Sequence, residues 1–303
     1  MNASEHVGAL AALLAGVVWG FLGLFVREMS SVGYTPAQMT CLRYVVVAVV
    51  LFVYISVRNR RLFRVDLRML ILLAVVGIVG NALNSTAYFS AMERVPIGLA
   101  TILQYFAPFF VVAMSVPFFG ERITPVKAVA VVTAFFGCVL CTGLLTSSVD
   151  LDVTGVVFGL MSAVFFGTYT LGSKKARNDG CATLTVLFYA AVFCSVSLSP
   201  FCDLPAAAGV ISSSFYNLAL LLGLGLGLTL LPFGLYNYSL SRIEAGKASI
   251  ISFIEPPTAV AVGLVAYGEP LTVEIAVGMV LILAALVLIV RKAPGPNTSD
   301  TGA

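Results

Sequence analysis

Long uncharged stretches alternate with short charged ones along almost the whole chain. Residues 7–26, 69–92, 95–120, 128–149, 153–173, 180–202 and 204–241 carry no Asp, Glu, Lys or Arg. Each is long enough to cross a bilayer as a helix, which needs about 20 apolar residues. The last is too long for one helix, and residues 205–214 read as its loop. Residues 271–290 form another run, with Glu274 near its rim. Two more runs carry one deep charge each: 36–57 holds Arg43, and 246–267 holds Glu255. The pattern therefore predicts ten transmembrane helices. The runs are continuous rather than alternating, which favours helices over a β-barrel.

Composition agrees. Of 303 residues, 60% are hydrophobic and 10% charged, and the mean hydropathy is +1.04. Soluble domains carry about 25% charged residues, so a water-exposed surface cannot be built from this chain. A soluble enzyme, a nucleic-acid-binding domain and a disulfide-stapled secreted module are all excluded. Ten spans use most of the length and leave only short loops.

The basic residues orient the spans. Fourteen of seventeen Lys and Arg fall on the side that holds both tails, among them Arg58, Arg60, Arg61, Arg64 and Arg68. Only Arg27 and Arg94 fall on the other side, and Arg43 lies within a span. This bias predicts a multi-pass protein of the cell membrane with both termini cytoplasmic. The leader, residues 1–6, has no Lys or Arg, so the first helix does not read as a cleavable signal. The Pro/Gly/Ser/Thr-rich residues 293–303 read as a disordered cytoplasmic tail.

Shifting the chain on itself by 148 residues lays 88–140 over 236–288 with 16 identities in 53 positions. Tyr88, Arg94, Gly98, Pro108, Gly120, Glu121 and Thr124 fall on Tyr236, Arg242, Gly246, Pro256, Gly268, Glu269 and Thr272. At a shift of 147, Gly20 and Arg27 fall on Gly167 and Lys174. Residues 1–150 (helices 1–5) thus repeat as 151–292 (helices 6–10). Five is odd, so the halves are expected to have opposite orientations, the plan of many secondary transporters.

The stretch Val17-Val18-Trp19-Gly20 with Arg27 after it, Arg43 in the second span, and Pro108 followed by Gly120-Glu121-Arg122 recur in part as Ile254-Glu255-Pro256 and Gly268-Glu269. On these residues the chain resembles EamA-type members of the drug/metabolite transporter superfamily. The resemblance implies an all-α membrane protein of ten helices in two inverted five-helix halves. It implies a central cavity worked by alternating access, for export or exchange of small organic metabolites such as amino acids. A channel or a lipid translocase on the same bundle is the alternative. The partners expected are a small-molecule substrate and the lipid bilayer, without nucleic acid; a homodimer is compatible with this plan.

Polar residues inside spans are the candidate site. Asn81, Asn84, Ser85 and Tyr88 share one stripe at i, i+3, i+4 and i+7, and Thr101, Gln104, Tyr105 and Pro108 repeat that spacing. Ala248, Ser252 and Glu255 form a third stripe that ends in Pro256-Pro257. Trp19, Thr168, Tyr169, Tyr236, Asn237 and Tyr238 lie in other spans. Lipid penalises such groups, so they should face the bundle interior. They either line a cavity or bond helix to helix. The substrate-binding set expected is Trp19, Asn84, Tyr88, Gln104, Tyr169, Tyr236 and Asn237.

Two charges lie deep in the spans. Arg43 either anchors a substrate carboxylate or pins backbone carbonyls, and it cannot shed its proton. Glu255 either carries a proton or, protonated, braces the carbonyls that Pro256 and Pro257 leave without donors. The Gly-Glu turns at 120–121 and 268–269 read as helix ends, followed by Thr124 and Thr272 as N-caps. The six cysteines read as apolar filler, and no metal, cofactor or catalytic constellation is expected, so the chain does not read as an enzyme.

Overall fold

The computed structural model describes residues 3–95, 97–142, 152–268 and 270–292. Among them every regular element is helical. We label the helices α1 (Ala3–Ser31), α2 (Pro36–Arg58), α3 (Leu67–Met92), α4 (Gly98–Phe119), α5 (Pro125–Cys141), α6 (Val153–Asn178), α7 (Thr183–Phe201), α8 (Leu204–Ser213), α9 (Phe215–Leu240), α10 (Ala245–Tyr267) and α11 (Val273–Arg291). All except α5 and α8 are long and apolar enough to cross a membrane, which makes nine such helices among the described residues. Helix α5, the fifth expected span, has 17 residues. Residues 143–151, Glu269 and the tail 293–303 lie outside the described residues.

One expectation fails locally. The segment read as a loop, 205–214, is largely the helix α8. Asp203 precedes it and accepts the Ala206 N–H at 3.1 Å, and Pro205 stands in its first turn, where a missing N–H costs nothing. A capping residue and an N-terminal proline are helix-start signals as much as turn signals.

Starts and stops follow local chemistry. Thr35 and Gln38 make a reciprocal capping box at the start of α2. Thr124 caps α5 through the Lys127 N–H. Gly120 and Gly268 end α4 and α10 in the left-handed region, with φ of 67° and 64°, a conformation that a side chain disfavours.

Several spans are interrupted midway. Helix α1 breaks between Trp19 and Leu22. Helix α4 breaks between Gln104 and Ala107, just before Pro108, which has no N–H to offer the preceding turn. In α10 the turn Ser252–Ile254 tightens ahead of Pro256 and Pro257. Wider turns occur at Ile78–Leu83 of α3 and Gly223–Leu230 of α9. Such interruptions concentrate at functional positions in helices.

Helices α5 and α11 pack face to face where Gly137 meets Gly278: a Cβ added at Gly137 would stand 2.7 Å from the Gly278 carbonyl oxygen. The largest buried cluster joins α1, α3, α4, α5, α6, α7, α9, α10 and α11 around Trp19, Tyr169, Tyr236 and Phe253.

Candidate functional site

The three proline- or turn-broken helices bring their polar residues together. Asn84, directly after the wide turn of α3, accepts a hydrogen bond from Gln104 Nε2 at 3.2 Å. Tyr88 and Thr101 share one at 2.9 Å. The Tyr105 side chain, at the break in α4, faces the Glu255 carboxylate at the break in α10. The Tyr105 ring stacks on Phe253 at 5.3 Å. Asn84, Tyr88, Gln104 and Glu255 thus belong to one contiguous set on α3, α4 and α10. Glu255 itself is partly exposed. The Ile254 carbonyl, just before Glu255, accepts from Thr258 Oγ1 at 2.9 Å.

Trp19, Tyr169, Tyr236 and Asn237 form a neighbouring, sealed set. The Trp19 ring lies 5.2 Å from Phe233 and 5.5 Å from Tyr236. Asn237 Nδ2 donates to the Tyr169 hydroxyl at 2.6 Å and to the Phe233 carbonyl at 2.9 Å. Tyr236 and Thr170 share a bond at 3.3 Å. All four are buried. A void of about 10 Å³ beside them is lined by Tyr44, Asn81, Tyr169, Thr229 and Phe233 among others. That is room for one water at most. In this conformation the aromatic set is packed core, not an open cavity.

Arg43 sits apart from Glu255. Its guanidinium donates to Ser85 Oγ at 3.4 Å and lies 5.0 Å from the Tyr44 ring centroid. Among the described residues no ion pair joins it to a carboxylate.

The end of the bundle with the basic loops holds a second polar centre, in which sequence reasoning saw only helix ends. Glu121 follows Gly120 and is buried. Its Oε1 accepts the Ala245 N–H at 2.7 Å and its Oε2 the Gly246 N–H at 3.3 Å, at the first turn of α10. Lys127 is 2% exposed. Its Nζ lies 2.7 Å from Glu244 Oε2 and 3.7 Å from Glu121 Oε2, and donates to the Arg122 carbonyl at 2.9 Å. Lys174 Nζ closes the last turn of α9 by donating to the Leu240 and Ile243 carbonyls at 2.7 and 2.9 Å. The α4–α5 turn is thereby clamped to the α9–α10 turn. The signal in the sequence was the twice-repeated Gly-Glu pair; its partners in space were invisible there.

At the opposite end Arg27 lies over the Tyr267 ring at 4.0 Å, joining α1 to α10. Arg94 pairs with Asp152 at 3.4 Å, joining the end of α3 to the start of α6. The Thr154 N–H, and after it Arg94, holds the Asp152 carboxyl below the usual carboxylate range. Among the described residues no group of three or more His, Cys, Asp and Glu is placed to hold a metal ion.

Comparison with known proteins places this arrangement. A family model, the EamA-like transporter family, matches residues 6–143 and again 153–291. An uncharacterized transporter of Archaeoglobus fulgidus is 29% identical over 94% of this chain and 97% of its own. The threonine/homoserine exporter of Salmonella typhimurium is 26% identical over 72% of this chain and 71% of its own. A protein of known crystal structure, 19% identical, shares the fold with a TM-score of 0.76 over 95% of this chain and 96% of that one.

Proposed function

Because the chain belongs to the EamA-like transporter family and is a multi-pass membrane protein, we propose that it is a secondary active transporter. It moves small organic metabolites, amino acids or related compounds, across the cytoplasmic membrane by alternating access, as an exporter or exchanger. In this reading α5 is a tenth span and α8 an outer surface helix. Residues 1–150 and 151–292 are two halves of opposite orientation, and both termini are cytoplasmic.

One observation supports this most. The repeat relates the first turn of α10, Ala245–Ile251, to Ile97–Gln104, and the second part of α4, Ala107–Phe119, to Glu255–Tyr267. Ala245–Ile251 packs closely on Ala107–Phe119 at the basic-loop end. The repeat-related contact, Ile97–Gln104 on Glu255–Tyr267, has no counterpart of that extent among the described residues; Ile97–Gln104 packs on α6 and on Asn84–Met92. One repeat-related pair of segments in contact and the other apart is the asymmetry expected of one state of an alternating-access cycle, while Arg27 with Tyr267 and Arg94 with Asp152 still join the halves at the other end. The cytoplasmic end is the closed one, through Glu121, Lys127 and Glu244. The set around Asn84, Gln104, Tyr105 and Glu255 then faces the outer side and is the substrate-contacting region, with Glu255 as the coupling proton carrier.

The test is counterflow in proteoliposomes. Purified protein should exchange internal for external amino acid with saturable kinetics, faster under an imposed pH gradient. A conductance that rises linearly with concentration and shows no counterflow would refute a carrier and select a channel.

A further inference from the structure

Arg43 is held unlike the buried cations at the basic end. Lys127 faces Glu121 and Glu244. Lys174 feels the same two carboxylates, and Lys247 feels Glu5 and Glu244. Arg43 has one hydroxyl and an aromatic ring. Its bond to Ser85 is long at 3.4 Å, beyond the usual 2.7–3.2 Å. Its Nε is buried and has no hydrogen-bond partner. A guanidinium carries five N–H donors and a charge it cannot lose. Within a membrane span such a charge costs several kcal/mol unless an anion or carbonyls meet it. The pinning role predicted backbone carbonyl acceptors; among the described residues none accepts from Arg43.

Its place suits a ligand. Arg43 lies seven residues into α2, about 10 Å below that helix's outer end at 1.5 Å per residue, and it is partly exposed. Its partner Ser85 is the residue after Asn84 on α3, and Asn84 accepts from Gln104 of α4, next to the Tyr105 that faces Glu255. Arg43 therefore stands beside the helix segment that carries the central cluster.

We propose that Arg43 receives a carboxylate of the transported molecule, so that the substrates are carboxylate-bearing metabolites. This rests on the transporter reading above. The planar fork matches a carboxylate in two parallel bonds, with Ser85 and Tyr44 beside it. A carboxamide of the same shape offers one neutral acceptor and two donors that the guanidinium cannot use.

The experiment pairs acids with their amides: threonine with threoninamide, phenylalanine with phenylalaninamide, and succinate with succinamide, each measured as counterflow in proteoliposomes. Wild-type protein should move at least one acid saturably and its amide at least tenfold more slowly. Arg43→Gln should bring that ratio close to one, and Arg43→Lys should restore part of it. The wild-type comparison needs no variant, and the ratio within a variant does not depend on how much protein folds. Equal transport of acids and amides by the wild type overturns the inference and leaves the transporter reading standing. So does an unchanged ratio in a folded Arg43→Gln. Transport of none of these compounds overturns the inference, and conductance without counterflow overturns the transporter reading too.

Discussion

Replacing Glu121 by Ala should open the proposed cytoplasmic end. The carboxylate accepts two backbone N–H groups of α10 at 2.7 and 3.3 Å and lies 3.7 Å from Lys127. Hydrogen bonds to a charged group contribute about 1.5–3 kcal/mol each within a protein. In the open state water would satisfy the same groups, so the net preference for closure is smaller than their sum, about 2–3 kcal/mol. Each 1.4 kcal/mol is tenfold, so the closed-to-open ratio should fall roughly thirty- to a hundredfold. The reporter is a single cysteine at Ser249, which is 1% exposed and one turn into α10. It is placed in a background without the six native cysteines and labelled by an impermeant maleimide from the cytoplasmic side of inverted vesicles. Its labelling rate should rise by that factor in Glu121→Ala. In Glu121→Gln it should rise less, because the amide oxygen still accepts from Ala245 while the attraction for Lys127 is lost. A parallel chain with only Cys138, which is fully buried, separates gate opening from unfolding, since it should stay unlabelled. An unchanged rate at Ser249 in well-inserted Glu121→Ala would refute the latch.

Glu255→Gln should keep substrate-for-substrate exchange and lose flux driven by a pH gradient, because glutamine matches the protonated acid in shape but cannot take up or release a proton; unimpaired driven flux would show that Glu255 carries none. Gly278→Leu should separate α5 from α11, because even a Cβ there stands 2.6 Å from the Gly137 carbonyl oxygen; a loss of about 1–3 kcal/mol is expected, read as a lower Tm in detergent, and an unchanged Tm would contradict the packing. Cysteines placed in the Arg60–Phe63 turn should react only from the cytoplasmic side, and cysteines placed at Asp152 and Asp203 only from outside; external labelling of the turn would overturn the orientation.

The spans were legible because lipid leaves a helix no alternative: backbone groups must be satisfied within the segment, so an apolar run of the right length reads directly as structure. The halves were legible because duplication leaves identities at a constant offset. The turns at Gly120 and Gly268 could be read from residue type alone, since a left-handed helix end asks for glycine. Helix α8 reads as a loop in the sequence because an Asp-Leu-Pro start satisfies loop and helix rules equally, and only the Asp203 to Ala206 bond distinguishes them.

The site divides along the same line. That Asn84, Tyr88, Gln104 and Glu255 face inward follows from helical spacing and the cost of polar groups in lipid. Periodicity along one helix carries no information about its neighbour, so the pairings Asn84 to Gln104 and Tyr105 to Glu255 belong to the tertiary structure. So does the separation of Trp19, Tyr169, Tyr236 and Asn237 into packed core, which a stripe pattern cannot distinguish from a cavity wall. Glu121 shows the limit best. Its glycine neighbour announced a helix end, but its role depends on Ala245, more than 120 residues away in sequence. The sequence alone determined which segments are apolar enough to enter a membrane, how many times the pattern repeats and which residues are too polar for lipid. Those are free energies of transfer, and each segment carries its own. Which polar groups meet, and which helix ends are clamped together, were decided by contacts between segments, whose energies exist only once the helices are packed.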